Sequence, residues 1–595
     1  MTEVFEPVGE QDWRLSLTAT GRLAELNRGG VLTSSDLHVA TRVGALGGET
    51  DEWVLLAVAL TVRALRRGAV CLDLAAVRDL APDLDWPDDW AALVAGSPLV
   101  AAGVVRWDLG LLYLDRYHRL ETQVRDDLEA RLALPPPDVD DERLGAALAR
   151  VRGGHFSPEQ ESAVVEAARR RTTILTGGPG TGKTTTVARL LAVLADQEGP
   201  LSIALAAPTG KAATRLQEAV GTELDAVARS WPEARALVGR PDALTLHRLL
   251  GWRPDNATRF RHDRSNRLKY DVVVVDESSM VELTMMGRLL EALRPESRLV
   301  LVGDPRQLTS VGAGAVLSDL VAGFAERADS PVAALTENFR SEADITALAG
   351  ALRDGDADDV LRLLRAPSDQ VSFVEADDDA AVEAALRPDA VGTARAVWEA
   401  AVDADPDRAL AALDRHRLLC AHREGPYGVR RWNRLVERWL AEDPEVDFHG
   451  PGVSDEWYVG RPLLVTSNDY ALDVYNGETG VVVQQGLRRR AFVAGSERLK
   501  EFAPGRLDAV ETMHAMTIHK SQGSQADRVT VLLPDEGSRL LTRELFYTAV
   551  TRARHHVRVV GTEAAVRAAV TTLAQRATGL RRRLAEPSAD HPSGD

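Results

Sequence analysis

The chain has 595 residues, of which 45% are hydrophobic and 27% are charged, a balance typical of a soluble protein of several domains and not of a disordered chain. No apolar run is long enough to span a bilayer, and the two cysteines, Cys71 and Cys420, exclude a disulfide framework and make a zinc site unexpected. The net charge of −18 argues against a polyanion partner unless that charge is unevenly distributed.

The distribution is uneven, because the front of the chain is acidic. Residues 1–150 hold 25 Asp and Glu against 15 Arg and no Lys, so this quarter carries −10 of the total. The remainder is nearer neutral and can still form a local basic groove. A packed helical pattern, a possible strand at 68–74 and a Pro-rich stretch from residue 132 predict a mainly helical, protein-facing domain over 1–131 and a linker over 132–154. The start lacks a signal-peptide core, so we expect a cytoplasmic protein with no membrane partner.

The strongest motif follows the short strand TTILT. GGPGTGKT, from Gly177 to Thr184, fits the phosphate-loop pattern and precedes a helical segment, which is the context that this loop requires. We predict that Lys183 reaches the β- and γ-phosphates of ATP and that the Thr184 hydroxyl binds Mg²⁺. The predicted ATP-binding residues of this loop are Gly177, Gly178, Pro179, Gly180, Thr181, Gly182, Lys183, Thr184 and Thr185.

The second motif is DVVVVDESSM, over 271–280. Four consecutive valines predict a strand buried on both faces, with carboxylates at its C-terminal end. Asp276 is the candidate Mg²⁺ ligand, and Glu277 is the candidate base that takes a proton from the attacking water. An acidic strand end followed by a helix cap is the structural alternative, which the neighbouring phosphate loop disfavours.

Three later residues are candidates for sensing or stabilising the transferred phosphate. Gln307 follows the strand RLVLV, Arg340 lies in LTENFRS, and Arg552 lies in LFYTAVTRAR. Two arginines from different domains that converge on a phosphate would stabilise the charge that develops in the transition state.

The strand–helix alternation predicts two parallel-sheet domains, over 155–365 and 366–580. Within the second, residues 457–515 differ: short strands and an Asn-Gly turn predict a small β-barrel-like insertion. Residues 581–595 are predicted to be a disordered tail.

The ordered motifs resemble those of the superfamily-one helicases. SPEQ, GGPGTGKT, APTGKAATRL, TLHRLL, VVDESSM, LVGDPRQL, LTENFR, AMTIHKSQGSQ and YTAVTRAR cover roughly 155–565. The resemblance implies an α/β fold with two RecA-like motor domains, an adenine contact by Gln160, and contacts with the DNA strand by Thr209, Lys211, His247, Thr517 and His519.

GDPRQLTSVGAG, ENFRS, LLCAHREGPYGVRRWN, YNGETG and TIHKSQGSQ are more closely similar to the RecD family, the alpha subunits of exodeoxyribonuclease V. This resemblance implies a helicase that uses ATP and Mg²⁺ and moves 5′ to 3′ on single-stranded DNA from duplex ends. It also implies RecB-like and RecC-like partners in a heterotrimer that acts in double-strand break repair by homologous recombination.

Other functions stay open at this point. One is a stand-alone repair or conjugative helicase, although the longer front of such proteins is not evident here. Another is a non-translocating regulatory ATPase, which intact motifs disfavour. RNA is a weaker candidate than DNA for the nucleic acid along which the motor moves, since aromatic residues make up only 5% of the chain. The sequence shows no carboxylate–lysine nuclease constellation, so DNA cutting is expected in a partner subunit.

Overall fold

The computed structural model describes residues 9, 12–152, 156–253, 256–309, 312–339, 343–446, 456–469, 471–495, 498–574 and 576–585. Among the helices of these residues, none is both long and apolar enough to cross a membrane.

The front of the chain is a helical unit with one short hairpin. Asp51 caps the N-terminus of its central helix. Trp53 in the first turn of that helix packs with Trp86 and Trp90, with ring centroids 4.8–6.2 Å apart. Its elements are α1 Gly21–Arg28, α2 Ser34–Gly47, α3 Glu52–Arg66, α4 Trp90–Ala95, α5 Pro98–Ala101, β1 Val105–Asp108, β2 Leu111–Leu114 and α6 Asp115–Leu132.

The prediction of a possible strand at 68–74 is wrong. Leu72 makes a single bridge to Leu112, and the Val70 N–H donates to the Ala577 carbonyl oxygen at 2.8 Å. The backbone of this segment therefore bonds to the C-terminal part of the chain in place of a neighbouring strand.

A six-stranded parallel sheet follows, in the order β10-β3-β9-β8-β4-β5. All four valines of β8 are buried, as helices on both faces require. The elements are α7 Asp141–Val151, α8 Pro158–Ala168, β3 Thr172–Gly177, α9 Lys183–Glu198, β4 Ile203–Ala207, α10 Gly210–Ser230, α11 Glu233–Val238, β5 Ala243–Thr245, α12 Leu246–Leu250, β6 Trp252–Arg253, β7 Asn256–Phe260, β8 Val272–Val275, α13 Leu283–Ala292, β9 Arg298–Gly303, α14 Val316–Phe324 and β10 Val332–Leu335.

A second parallel sheet has five strands in the order β11-β20-β19-β12-β18, so the predicted α/β class with two parallel-sheet domains is confirmed. Its elements are α15 Ala343–Asp354, α16 Ala357–Arg365, β11 Val371–Glu375, α17 Asp379–Val402, α18 Pro406–Arg415, β12 His416–Cys420, α19 Val429–Ala441, β18 Ala515–Thr517, β19 Ala526–Leu532, α20 Arg543–Val550, β20 Ala553–Gly561 and α21 Glu563–Thr571. Side chains of α15 and α16 pack in this domain's core, so the change of domain comes before the predicted boundary at 365.

An antiparallel sheet is inserted into the second domain, in the order β16-β15-β14-β13-β17. The described pairing leaves β16 and β17 as edges, so closure into a barrel is not confirmed. The predicted Asn-Gly turn is present, since the Glu478 N–H donates to the Tyr475 carbonyl oxygen at 3.0 Å and Gly477 has a φ of 91°. The strands are β13 Pro462–Val465, β14 Thr479–Gln485, β15 Arg488–Ala494, β16 Leu499–Phe502 and β17 Val510–Thr512.

The last helix, α22 Leu580–Ala585, leaves the second domain and packs on the first. The predicted disordered tail is therefore wrong for 581–585, because Leu584 is buried against α14; residues 586–595 lie outside the described residues.

Hydrophobic packing is also continuous across the predicted boundary at residue 131. One cluster joins Tyr113 and Val124 of the front to the first parallel sheet and to Leu584.

Candidate active site

The phosphate loop lies between the end of β3 and the start of α9. Gly180 and Gly182 have φ values of 86° and 79°, in the left-handed region that favours glycine. A Cβ atom on Gly182 would also overlap the side-chain nitrogen of Gln160. Glycine is therefore required at position 182, both by the backbone conformation and by the close approach of Gln160.

Gln160 is bonded to protein on both sides of its amide. The Gln160 Nε2 donates to the Thr181 carbonyl oxygen at 3.1 Å, and its Oε1 accepts from the Ser157 N–H at 3.2 Å, which completes a capping box on α8. The structure thus places Gln160 as a support of the phosphate loop, and its adenine contact stays a prediction.

Lys183 opens α9, and its Nζ donates to the carbonyl oxygens of Gly177 and Gly178 at 2.7 and 2.9 Å. These bonds hold the ammonium group across the loop, where the positive end of the helix also favours an anion. The hydroxyl of Thr185 donates to Glu223 of α10 at 3.0 Å, so this side chain ties the helix to its neighbour.

The segment before Arg340 is docked on the same loop. The Asn338 side chain donates to the Pro179 carbonyl oxygen at 3.1 Å, and the Phe339 N–H donates to the Gly180 carbonyl oxygen at 2.9 Å. Arg340 itself lies outside the described residues, so its predicted role stays a prediction.

The acidic pair follows β8, beside the phosphate loop. Glu277 has a φ of 51° and a ψ of 39°, a left-handed conformation that costs a non-glycine residue on the order of 1–3 kcal/mol. Its N–H donates to Asp276 Oδ1 at 2.8 Å. Burial raises the pKa of Asp276 to about 6, the Glu277 charge adds to this rise, and the Lys183 ammonium opposes it. Backbone strain beside an unfavourable buried charge is typical of a functional site.

The Thr184 hydroxyl and the Asp276 carboxylate fit a divalent metal such as Mg²⁺, which prefers oxygen ligands. A dication would relieve the electrostatic cost that raises the pKa of Asp276. We take these two residues as the candidate ligands.

Gln307 lies in the turn after β9, where Gly303 approaches the backbone nitrogens of Ser278 and Ser279. Its side chain is buried, and its Nε2 donates to Asp304 Oδ2 at 3.3 Å. The Gln307 Oε1 is buried without a hydrogen-bond partner among the described residues. A buried acceptor of this kind points to a ligand or a reacting group.

The second motor domain bonds directly to this turn. The Tyr547 hydroxyl donates to Asp304 Oδ2 at 3.0 Å, the Leu308 N–H donates to the Thr548 hydroxyl at 2.9 Å, and the Gln522 side chain donates to the Leu308 carbonyl oxygen at 2.7 Å. The turn that carries Gln307 is thus held by side chains from across the cleft.

Arg552 reaches the same cleft from the start of β20. It is 5% exposed, and its Nε donates to the Thr548 carbonyl oxygen at 3.1 Å. Burial lowers the pKa of the Arg552 guanidinium, and the charges of Glu277 and Asp304 oppose that change. The arginine of the second domain is therefore within electrostatic reach of Glu277 of the first, and its predicted action on the transferred phosphate stays a prediction.

The candidate strand-binding residues lie at the sheet edges beside the cleft. Thr209 and His247 follow the neighbouring parallel strands β4 and β5, while Thr517 ends β18 and His519 follows it. The two sets meet where a Cβ on Gly523 would lie 3.6 Å from Ala212. The motifs are thus brought together, while contact with a nucleic-acid strand stays a prediction.

Two of these side chains also have structural roles. The Thr209 hydroxyl caps α10 by accepting from the Ala212 N–H at 3.3 Å, and the Thr517 hydroxyl accepts from the Lys520 N–H at 3.3 Å. Burial lowers the pKa of Lys211 to about 7, and Arg417 and Arg215 contribute to that shift. Burial also lowers the pKa of both His247 and His519.

Sequence reasoning missed the residues that bridge the two domains. Asp304, Gln522, Tyr547 and Thr548 all lie inside motifs that were recognised, so the signal was present. Arg215 is another, because its Nη1 donates to the Gly523 carbonyl oxygen across the cleft at 2.5 Å.

Comparison with known proteins gives three family matches: an AAA domain over residues 160–313, a UvrD-like helicase C-terminal domain over 512–560, and the N-terminal domain of RecBCD enzyme subunit RecD over 28–107. A RecBCD enzyme subunit RecD from Mycolicibacterium smegmatis is 55% identical over 93% of this chain and 98% of that protein. An ATP-dependent RecD2 DNA helicase from Deinococcus radiodurans is 32% identical over 77% of this chain and 56% of that protein. A solved Pif1 helicase from Bacteroides, in complex with ADP-AlF3 and ssDNA, covers 68% of this chain with 16% identity and a TM-score of 0.37.

Proposed function

The chain belongs to the family of RecD subunits of the RecBCD enzyme, and from that premise we propose that it is an ATP-driven DNA helicase subunit whose motor hydrolyses ATP with Mg²⁺ between its two parallel-sheet domains. The observation that carries this proposal is that Arg552 of the second domain lies within electrostatic reach of Glu277 and Asp304 of the first, where the Tyr547 hydroxyl of the second domain also donates to Asp304. A site completed by both domains couples hydrolysis to their relative movement, which is what a translocating motor requires.

The chain's own residues divide the chemistry. The phosphate loop and Lys183 bind the triphosphate, Thr184 and Asp276 hold the metal, which stabilises the charge of the phosphates when it is bound, and Glu277 accepts a proton from the attacking water. Arg552, with Arg340 as the second candidate arginine, stabilises the charge that develops on the transferred group. Thr209, Lys211, His247, Thr517 and His519 hold the single strand.

The partners of this motor are a RecB-like and a RecC-like subunit, in a cytoplasmic complex that enters DNA at duplex ends and acts in double-strand break repair by homologous recombination. Movement is 5′ to 3′ on the bound strand, and cutting is done by a partner. The stand-alone helicase alternative is not favoured, because the RecBCD subunit from Mycolicibacterium smegmatis is 55% identical to this chain, whereas the RecD2 helicase is 32% identical.

Hydrolysis tests the motor assignment first. We expect the purified chain to hydrolyse ATP faster when single-stranded DNA is added, and Lys183→Ala to reduce this activity to background, because the phosphates lose their cation. Lys269→Ala is the matched control, since Lys269 is exposed and lies outside these motifs. Near-wild-type turnover in Lys183→Ala would contradict the assignment.

Assembly and direction are tested separately. The tagged chain, purified from its native cell, is expected to bring RecB-like and RecC-like subunits with it. In that complex, with the RecB-like motor inactivated by substitution, unwinding is expected from duplexes with a 5′ single-stranded tail and not from those with a 3′ tail. Recovery of the chain alone would favour the stand-alone helicase.

A further inference from the structure

The Gln307 amide is held in one orientation. Gln307 and Asp304 are 4% and 3% exposed, and the Gln307 Nε2 lies 3.3 Å from Asp304 Oδ2. An ionised carboxylate can only accept hydrogen bonds, so the amide must turn its nitrogen towards Asp304. This leaves the Gln307 Oε1 as the atom without a partner in the described structure.

Tyr547 fixes the other side of the same carboxylate oxygen. Its hydroxyl donates to Asp304 Oδ2 at 3.0 Å from helix α20 of the second domain. Burial and the Asp304 charge raise the pKa of Tyr547, so the phenol stays protonated and remains a donor. Asp304 Oδ2 therefore accepts from one donor in each motor domain.

The Tyr547 hydroxyl also lies at the phosphate loop, because a Cβ on Gly178 would be 3.1 Å from it. The turn with Gln307 is beside the acidic pair, since Gly303 approaches the backbone nitrogens of Ser278 and Ser279. The three side chains thus connect the second domain to the reacting centre.

We propose that Tyr547 is a positioning residue for ATP hydrolysis: through Asp304 it holds the Gln307 amide with Oε1 turned towards the attacking water when the motor domains are closed. This inference rests on the proposed function of the cleft. It assigns Gln307 to the water, because an amide oxygen that has no other partner accepts from an O–H group and repels a phosphate oxygen.

The step balances without a further reactant. The water oxygen forms a bond to the γ-phosphorus as the bond from that phosphorus to the β–γ bridging oxygen breaks, and ADP leaves with that oxygen. One water proton passes to the Glu277 carboxylate, and the other O–H donates a hydrogen bond to Gln307 Oε1. Gln307 takes no proton, and its contribution is the orientation of the water.

Tyr547→Phe removes a single oxygen atom and tests the inference. We expect kcat for DNA-stimulated hydrolysis to fall by about tenfold or more, as the loss of a hydrogen bond to a charged group would cause, while KM for ATP is unchanged. In a Gln307→Ala background the same substitution is expected to cause no further fall, because Tyr547 acts through Gln307.

Tyr427→Phe is the matched control, since the Tyr427 hydroxyl donates to Asp535 at 2.9 Å elsewhere in the second domain. Wild-type turnover in Tyr547→Phe would overturn the inference, and so would an equal loss with and without Gln307, or a rise in KM at unchanged kcat. If Tyr547→Phe does not fold, Asp304→Asn takes its place with the same expectation.

The proposed function fails in a different way. A wild-type chain that shows no DNA-stimulated hydrolysis would remove the motor assignment itself. If the wild-type chain shows DNA-stimulated hydrolysis and Tyr547→Phe hydrolyses ATP at the same rate, only the positioning role of Tyr547 is removed.

Discussion

The first motor domain meets the rest of the molecule at two interfaces that differ in how much apolar surface they bury. Towards the second motor domain, at the nucleotide cleft, Thr548 and Gln522 form hydrogen bonds with the Leu308 backbone, and the Leu308 side chain packs into the hydrophobic core of the second domain. Towards the front domain and α22, one continuous hydrophobic cluster fills the junction.

Two buried charged residues at the front junction form hydrogen bonds to several neighbouring segments. Arg131 at the end of α6 donates to the carbonyl oxygens of Arg171, Arg294 and Ser297 and to the Thr172 hydroxyl. Glu121 is 0% exposed and accepts from the Tyr113 hydroxyl, the Thr578 hydroxyl and the Gly579 N–H at 2.8–3.1 Å. The front, the first sheet and the C-terminal segment are thus joined at one place.

The difference follows from the energies of the two kinds of contact. Each hydrogen bond at the cleft contributes about 1 kcal/mol net and can be exchanged for bonds to water or nucleotide. Buried apolar area contributes roughly 25 cal/mol per Å² and is lost only by exposing the core. The cleft is therefore suited to open and close, and the front junction to stay closed.

Arg552→Ala gives the largest effect at the cleft. We expect turnover at saturating ATP to fall roughly 10³–10⁵-fold, because the arginine stabilises charge in the transition state, while the denaturation midpoint changes little. Stopped-flow hydrolysis and nucleotide-binding titrations measure the two quantities. Arg554→Ala, at the exposed side of the same segment, is the control. Lost nucleotide affinity with a normal rate at saturation would make Arg552 a binding group instead.

Glu277→Gln is expected to reduce turnover by ~10²–10⁴-fold, since the base is lost while Asp276 keeps the metal. Binding of ATP with Mg²⁺ should persist, as measured by equilibrium titration. An unchanged rate would remove Glu277 from the role of base.

Glu121→Ala tests the front junction. Removing this buried carboxylate leaves Arg583 without one of its buried partners, which should cost about 3–5 kcal/mol in the free energy of unfolding. Hydrolysis per folded molecule should be unchanged, because the cleft is not involved. Denaturant unfolding followed by tryptophan fluorescence measures the loss, with exposed Glu326→Ala as the control. A stable variant with slow turnover would reverse the assignment of the two interfaces.

Asp319 makes the stability of this junction depend on pH. Burial raises the pKa of Asp319 to about 8, above its usual value of 3.8. The folded state therefore binds this proton more tightly, and the stability that it provides is complete below pH ~4 and is lost as the pH rises through 8. Between pH 6 and pH 8 we expect a loss of roughly 2–3 kcal/mol, which Asp319→Asn should remove. A variant with the same pH dependence as the wild type would exclude Asp319 as its source.

The two interfaces also differ in how much of them the sequence could predict. The roles of Lys183, Asp276 and Glu277 could be predicted, because each residue belongs to a short motif at the end of a strand with a recognisable pattern. The contact between Tyr547 and Asp304 could not be predicted, because the two residues are far apart in the chain and only the packing of two domains brings them together.

The front junction shows the opposite limit. The Pro-rich stretch after Leu132 predicted a linker over 132–154 and a separate front domain. The linker is wrong for Asp141–Val151, which is helix α7, and the buried side chains of this helix belong to the core of the first motor domain. Helix α6 instead packs on α13, so Val124 and Leu128 belong to the core shared with the motor. An apolar helical face gives no indication of whether its partner lies in its own domain or in the next.

Hydrogen exchange of the full chain, with and without a non-hydrolysable ATP analogue and Mg²⁺, tests the contrast between the interfaces most directly. We predict that peptides covering 304–309 and 543–552 gain protection when nucleotide binds, because the cleft closes. Peptides covering 115–132 and 316–324 should be strongly protected in both conditions. Unchanged exchange at the cleft, or a front junction that exchanges freely until nucleotide binds, would contradict this account.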